Sequence, residues 1–554
     1  MLDIIPWWKR TTIYQIYPRS FRDSNGDGIG DLPGIIKKLE YIKDLGFETI
    51  WISPFFTSPQ QDWGYDVADY CAIAPEYGTM ADVERLIDEV HRLGLKVIFD
   101  LVLNHTSIQH PWFIESSASR NNPKSDWYIW RDGRGKNRPP NNWKAMPGGS
   151  GWHFQPTRGQ WYYASFLPFQ PDLNFRNLEV KKEMFRAAKF WLDKGVDGFR
   201  LDIFHAIYKG EHFEDNPLHW SYIPTQDKFG FFTQWKYTVN QPETIQLAHE
   251  LRGVFDTYSP SRFMIGEIFG SDLQIKKYLG DRSEGMHAIF LWDLMDFRYK
   301  ADFFWDVINH YETWYPAPYT PVLVLGNHDS RRWIERVKGN TQKAKLIALV
   351  QLTSRGIPVV YYGEEIGLPE GKTPAKLSLD PVGQRFAWAP NWLLNLLNLY
   401  VNRDNCRTPM AWDSSSQAGF TDSDAEPWLP LSAKPSTSNV SDQIDDPDSL
   451  LNWYRSLLNF RKDSPALQNG DLRLLPRELA QKGLLAYYRQ TGGEKLAILI
   501  NMTANPIELD LKHPEIILRT GSVSLSAEKV NLGSLSGLIS KVNPDNLSTQ
   551  KGLP

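Results

Sequence analysis

Short apolar runs alternate along most of the chain with stretches whose apolar residues recur every three to four positions. The runs read as strands and the periodic stretches as amphipathic helices, the rhythm of a parallel sheet with helical crossovers. TIYQIYP (12–18), ETIWIS (48–53), KVIFDLV (96–102), VDGFRLD (196–202), FMIGE (263–267), AIFLWDL (288–294), PVLVLGNHD (321–329) and GIPVVYYG (356–363) are the strands. LPGIIKKLEYIKDLG (32–46), MADVERLIDEVHRLG (80–94), VKKEMFRAAKFWLDKG (180–195) and SLLNWYRSLLNFRKD (449–463) are the helices. Eight strands with helices between them predict an α/β fold, a (β/α)8 TIM barrel.

The rhythm breaks twice. Residues 104–175 are rich in Trp, Asn, Pro, Gly and Arg, with PPNNW and MPGGSGW as turn clusters. An excursion of about 70 residues is too long for a plain loop and reads as a small inserted domain after the third strand. A second irregular stretch spans 368–448 and contains the helix-like WLLNLLNLYV (392–401). After residue 470 short alternating strands such as LLAYYRQ and EKLAILINMT predict a C-terminal antiparallel β-sandwich, with no further helix. The division is therefore 1–103 and 176–469 for the barrel, 104–175 for the insertion (domain B) and 470–554 for the C-terminal domain.

Charge changes the picture by exclusion. A net charge of −4 over 554 residues leaves no basic field for nucleic acid or anionic lipid. Two cysteines, Cys71 and Cys406, make no disulfide framework and read as free thiols in a reducing compartment. MLDIIPWWKR lacks the apolar core of a signal peptide, and no run of uncharged apolar residues reaches membrane-spanning length. The expectation is a cytoplasmic enzyme with a small-molecule substrate and no nucleic-acid or membrane partner, as a monomer or homo-oligomer. Aromatic residues make up 13% of the chain, which suits sugar faces but serves cores equally well.

Three of the strands end in a carboxylate: Asp202, Glu267 and Asp329. Barrels of this kind place their chemistry at the C-terminal strand ends, where the following loops shape one pocket. Two carboxylates flanking one bond are the machinery of glycoside hydrolysis. In the retaining form one attacks the anomeric carbon while the other protonates the departing oxygen. Asp202 is the expected nucleophile. Arg200, two residues earlier on the strand, faces the same side and would keep it ionised. Glu267 is the expected acid and then base, a dual role that needs a raised pKa. Separately, DSNGDGIGD (23–31) sets Asp23, Asn25, Asp27 and Asp31 at alternate positions among glycines, hard oxygen donors suited to Ca2+, with Mg2+ as the alternative. Gly34 stands where an EF-hand would need its twelfth-position glutamate, so this is another kind of loop.

Taken together, DLVLNH (100–105), QPDLN (170–174), GFRLD (198–202), GE (266–267) and GNHD (326–329) resemble glycoside hydrolase family 13, the α-amylase family, and its oligo-1,6-glucosidase and α-glucosidase group. The resemblance spans nearly the whole chain. It implies that Asp329 stabilises the transition state and that His105 and His328 hydrogen-bond the bound glucose, with Asp100 and Asn104 as supports. QQDWGYD (60–66) is similar to the family segment in which Asp62 would bind the far hydroxyls of the terminal glucose and Tyr65 would stack beneath its ring. The family pairs that aspartate with an arginine near RTPM; here Arg403 is the first choice and Arg407 the alternate. Such a bridge closes the pocket and implies exo cleavage from the non-reducing end through a covalent β-glucosyl-enzyme. For the 23–31 loop the resemblance implies one structural Ca2+ with the Ile29 carbonyl as a further ligand.

QPDLN and the bulky Ile203 after Asp202 lean toward α-1,6 over α-1,4 linkages. Trp63 in place of a small polar residue, IFG after Glu267 and the long 381–402 segment depart from the group and leave the acceptor side open. A transglycosylating or isomerising relative, of the sucrose isomerase or trehalose synthase type, shares the same intermediate. A non-catalytic scaffold like the amino-acid transporter heavy chains carries a membrane helix and loses the acids; this chain has the acids and no such helix.

Overall fold

The computed structural model describes residues 5–542 except 136, 219–232, 390–393, 395–398, 433–437, 512–513 and 527–528. Eight parallel strands close into a barrel: β1 (Ile13–Ile16), β2 (Thr49–Ile52), β3 (Lys96–Leu101), β4 (Gly198–Leu201), β5 (Phe263–Gly266), β6 (Ala288–Leu291), β7 (Val322–Val324) and β8 (Ile357–Tyr361). Each pairs with its sequence neighbours, and β8 returns to β1 with Ile13 opposite Val359.

Alternation along each strand separates two cores. Ile13, Trp51, Ile98, Phe263, Ile265, Val322, Val324, Ile357 and Val359 fill the barrel interior. Their neighbours Tyr14, Ile50, Phe99, Phe199, Met264 and Val360 pack outward against the helices. The interior parity continues past the apolar layers toward the C-terminal end. Positions 98 and 100 share it, as do 198, 200 and 202, and 263, 265 and 267. Register makes this geometric, since Asp100 lies opposite Arg200, and Arg200 opposite Ile265. The strands thus deliver Asp100, Arg200, Asp202 and Glu267 to one side of the barrel mouth. Gly198 permits the close β4–β5 approach, because a Cβ there would meet the Phe263 carbonyl oxygen at 1.9 Å.

The helix Met80–Arg92 begins with a Thr79–Asp82 capping box and buries Val83, Leu86, Ile87 and Val90, as its periodicity requires. The stretch expected as one helix over 32–46 is instead two, Leu32–Ile36 and Leu39–Leu45. The break falls at Lys38 (φ −112°, ψ 5°). The first piece is pinned by Gly34, where a Cβ would strike the Arg22 carbonyl oxygen at 2.1 Å.

Between β3 and β4 the chain forms the helix Pro111–Ala118 and an antiparallel sheet of Trp130–Arg131, Gln160–Tyr163 and Trp152–Gln155. Its two ends meet where His105 bridges Asp172 and Leu173 N–H bonds the Asn104 carbonyl at 2.9 Å. At the C-terminus a five-stranded antiparallel sheet faces a three-stranded one over a shared apolar layer that includes Leu484, Leu499, Val530, Leu532 and Leu538. A short helix, Arg477–Gln481, does occur here; it follows Pro476, whose missing N–H costs nothing at a helix start. Most of the helix-like 392–401 stretch lies outside the described residues. Both cysteines are free, and among the described residues no helix is long and apolar enough to cross a membrane.

Candidate active site

A cavity of about 430 Å3 opens at the C-terminal end of the barrel. Its inner wall carries Asp62, Tyr65, His105, Asp202, Glu267, Asp329 and Arg403, and its outer wall Phe166, Phe269, Val382 and Tyr400.

Arg200 organises the floor. Its Nη1 donates to Asp202 Oδ1 at 2.7 Å and to Asp100 Oδ1 at 2.8 Å, and its Nη2 donates to Glu267 Oε2. One buried guanidinium therefore bridges two of the acids that face the cavity, Asp202 and Glu267. Glu267 Oε2 also accepts the Ile203 N–H at 3.1 Å. That N–H is turned inward by a left-handed backbone at Ile203 (φ 29°, ψ 42°), a conformation a β-branched residue adopts only under constraint. Burial, the largest influence, pushes both Asp202 and Glu267 up to about 7, against the pull of Arg200. Mutual repulsion adds to the rise at Glu267, so two neighbouring acids compete for ionisation near neutral pH.

Asp329 behaves oppositely. Burial alone would raise its pKa, but the contact with His328 Nε2 and the charges of Arg403 and Arg407 hold it well below the usual carboxylate range. Arg407 Nη2 reaches its Oδ1 at 2.8 Å and Arg403 Nη1 at 3.1 Å. His328 is kept neutral by burial, its pKa lowered to about 3, and it is fully committed: Nδ1 to Gln15 Nε2 at 2.8 Å, Nε2 to Tyr65 Oη at 2.6 Å and to Asp329 at 3.1 Å. It stands behind Tyr65 rather than on the cavity wall. His105, lowered by burial to about 4, lies on the wall with Nε2 3.1 Å from the Tyr65 carbonyl oxygen.

Asp62 closes the far end. A tight turn places it, with Asp66 accepting the N–H groups of Gln61 and Asp62 at 3.0 Å each and Gly64 at φ 102°. Arg403 Nη2 donates to Asp62 Oδ1 at 2.6 Å, and Gln170 Nε2 to Oδ2 at 3.0 Å. Arg403, not Arg407, is thus the partner of Asp62; Arg407 serves Asp329 from behind.

The sequence reading missed Gln15, Gln170, Lys209, Asp380 and the outer-wall aromatics. Gln15 was discoverable, being a polar residue at interior parity in an apolar strand. Gln170 sat inside a quoted motif without a role. Lys209 supports the floor by bonding Asn104 Oδ1 at 2.9 Å and Asp172 at 2.5 Å. Asp380 carried no local signal. Of the three departures, Phe269 lines the cavity, while Trp63 packs on Trp428 and the Arg19 guanidinium.

In the 23–31 loop Asp23 accepts N–H bonds from Asn25, Gly26 and Gly28, Asn25 from Asp27, Asp27 from Ile29, and Asp31 from Ser24 and Gly34. Among the described residues no three Asp, Glu, His or Cys side chains converge to hold a metal ion.

Parallel strands closed into a barrel, with paired acids on an arginine at the mouth, define the class: a barrel glycoside hydrolase. The chain belongs to the α-amylase family, the model of whose catalytic domain matches residues 15–470. It is 39% identical over 533 residues to a probable α-glucosidase of Rhizobium meliloti, covering 94% of each chain. It is 37% identical to an oligo-1,6-glucosidase of Heyndrickxia coagulans, covering 91% of this chain and 93% of that one. Among solved structures, the trehalulose synthase of Pseudomonas mesoacidophila superposes with a TM-score of 0.88 at 34% identity over 97% of this chain and all of the other.

Proposed function

We propose that this protein is an exo-acting, retaining α-glucosidase that releases glucose from the non-reducing end of short α-glucosides. The arrangement of Asp202 and Glu267 on one guanidinium carries the reading. Carboxylates bridged in this way are held close together, which suits the separation of about 5–5.5 Å of retaining enzymes better than the wider inverting gap. Asp202 attacks the anomeric carbon as the bond to the leaving oxygen breaks, its electron pair departing with that oxygen. Glu267 gives the leaving oxygen a proton, then takes one from the water that cleaves the glucosyl ester. Asp329, kept ionised by two arginines, stabilises the positive charge that develops on the sugar ring. The Asp62–Arg403 pair blocks passage of a longer chain, so glucose enters from its own end.

A substrate panel of isomaltose, maltose, sucrose and trehalose with product identification tests the reading. Glucose should be released first as the α-anomer; β-glucose would overturn the retaining assignment. Ile203 on the cavity wall favours α-1,6 substrates, and isomaltose should be turned over fastest. The likeness to trehalulose synthases supports a second reading, in which sucrose is isomerised; trehalulose or isomaltulose exceeding free glucose among the sucrose products would select it.

Asp62→Asn should lower kcat/KM about 10–100-fold, since a charge-assisted hydrogen bond contributes about 1.5–3 kcal/mol. Melting should change little, and an unaltered kcat/KM would remove Asp62 from the glucose subsite.

We also propose that the 23–31 loop takes one Ca2+ in a structural role, cytoplasmic conditions supplying Mg2+ as the competitor. A carboxylate offers about four lone pairs. Asp23, Asp27, Asp31 and the Asn25 carbonyl each keep at least one uncommitted, with the Ile29 carbonyl as a fifth donor. Side-chain rotation would be needed to gather them, since the acids do not converge as they stand. Binding to the native state alone raises stability, so chelation should lower the melting temperature by several degrees, with Ca2+ restoring it better than Mg2+. An unchanged melting curve would dismiss the ion.

A further inference from the structure

The segment after β8 leaves the barrel mouth at Asp380 and returns at Arg403, and these two residues grip each other. Arg403 Nε lies 3.0 and 3.1 Å from the two Asp380 oxygens, Nη2 lies 2.6 Å from Oδ1, and the Arg403 N–H reaches Oδ2 at 3.0 Å. Asp380 is fully buried and off the cavity wall. It touches no position a substrate could occupy, yet it holds the arginine that does.

A guanidinium is a flat fork whose donors point in fixed directions. One edge, Nε with Nη2, is occupied by Asp380. The remaining Nη2 hydrogen then meets Asp62, and Nη1 meets Asp329. With that edge locked by a bidentate pair, rotation about the Cδ–Nε bond is stopped. Without it, the fork could swing toward either pocket acid and meet one at the other's expense. Asp380 also accepts the Val382 N–H at 3.1 Å, capping the helix Pro381–Arg385, and Val382 is part of the cavity wall. The same carboxylate therefore sets both the arginine and the wall beside it. Ser378 Oγ bonding Asn402 Oδ1 at 2.9 Å and Leu379 N–H bonding Asp404 Oδ2 at 2.7 Å tie the same neck a second time.

We infer that Asp380 is a positioning residue for recognition of the terminal glucose: it orients Arg403 so that Asp62 and Asp329 are both engaged. The inference rests on the reading of Asp62–Arg403 as the glucose subsite given above.

The test compares 4-nitrophenyl α-glucoside with its 4-deoxy and 6-deoxy analogues on wild type and Asp380→Asn. A site built to bond a hydroxyl rejects an analogue lacking it, here by about 10²–10⁴-fold in kcat/KM for wild type. In Asp380→Asn that penalty should shrink to below about tenfold, because a misaligned fork no longer rewards the hydroxyl. The inhibition constant of 1-deoxynojirimycin, a probe of the glucose subsite, should rise about tenfold or more. General loss of structure would lower all three rates together and leave the ratio unmoved. Asp380→Glu keeps the charge but displaces the fork by one methylene; it should show the same collapse, and it serves if the asparagine variant does not fold. A wild-type penalty that persists unchanged in both variants overturns the inference alone. A wild type that fails to discriminate the deoxy analogues overturns the glucose-subsite reading, and this inference with it.

Discussion

Replacing Asp202 by asparagine is expected to lower turnover of α-glucosides by at least about a thousandfold while leaving the protein folded. Asparagine keeps the shape of the side chain and can still meet Arg200, which lies 2.7 Å away. It loses the anionic oxygen that would bond to the anomeric carbon. Stability should hold or rise, because burial already disfavours the charge at this position. Mass spectrometry gives the more specific readout. Wild type incubated with a fluorinated glucosyl fluoride that forms but barely hydrolyses its ester should gain the mass of one sugar, on a peptide containing residue 202. The variant should gain nothing. Label on another residue, or ordinary turnover by the variant, would displace Asp202 from the role of nucleophile.

The second large effect is expected at Glu267→Gln, and it has two separable parts. The first is chemical. Substrates with poor leaving groups need a proton on the departing oxygen, so maltose- or isomaltose-type turnover should fall by about 10²–10⁴-fold. A 4-nitrophenyl glucoside, whose leaving group departs unaided, should retain far more of its first step. Added azide should then rescue turnover and yield α-glucosyl azide, since no base is needed for an anionic nucleophile to open the β-glucosyl ester. Equal losses on both substrate types would point away from acid catalysis.

The other part concerns stability. An unfolded glutamate releases its proton near 4.5, whereas burial holds the folded Glu267 to about 7. Between those values the native state binds the extra proton, so raising the pH through this window destabilises wild type. Glutamine has no proton to lose. The variant should match wild type below about pH 4.5 and exceed it above pH 7 by about 1–3 kcal/mol. Chemical denaturation at the two pH values decides this, and a constant difference would refute the assigned shift. The same property bounds catalysis: kcat/KM should fall on the alkaline side near pH 7 as Glu267 loses the proton it must give the leaving oxygen.

The barrel and its acids were legible because alternation is a local rule. In FMIGE and GFRLD the residues two and four places before each carboxylate face the barrel interior, so parity alone aims Glu267 and Asp202 at the mouth. Helix boundaries were legible where caps were strong, as at Thr79, and misread at Lys38, where no residue type announces the break. The short helix at 477–481 escaped because five residues give periodicity too little to show.

From its own order of residues the chain determines eight strands, their sequence, the face each side chain takes and hence which acids reach a common pocket. Tertiary structure settled who pairs with whom there, choosing Arg403 over Arg407 for Asp62. Arg403 meets Asp62 across 341 positions, Gln15 meets His328 across 313, and Arg200 spans 67 to reach Glu267. It also decided that Arg403 is held by Asp380 and that Asp329 is more acidic than its two companions. Alternation constrains direction over a few residues, whereas charge partnership depends on which loops the closed barrel sets side by side. That proximity exists only once the last strand has returned to the first.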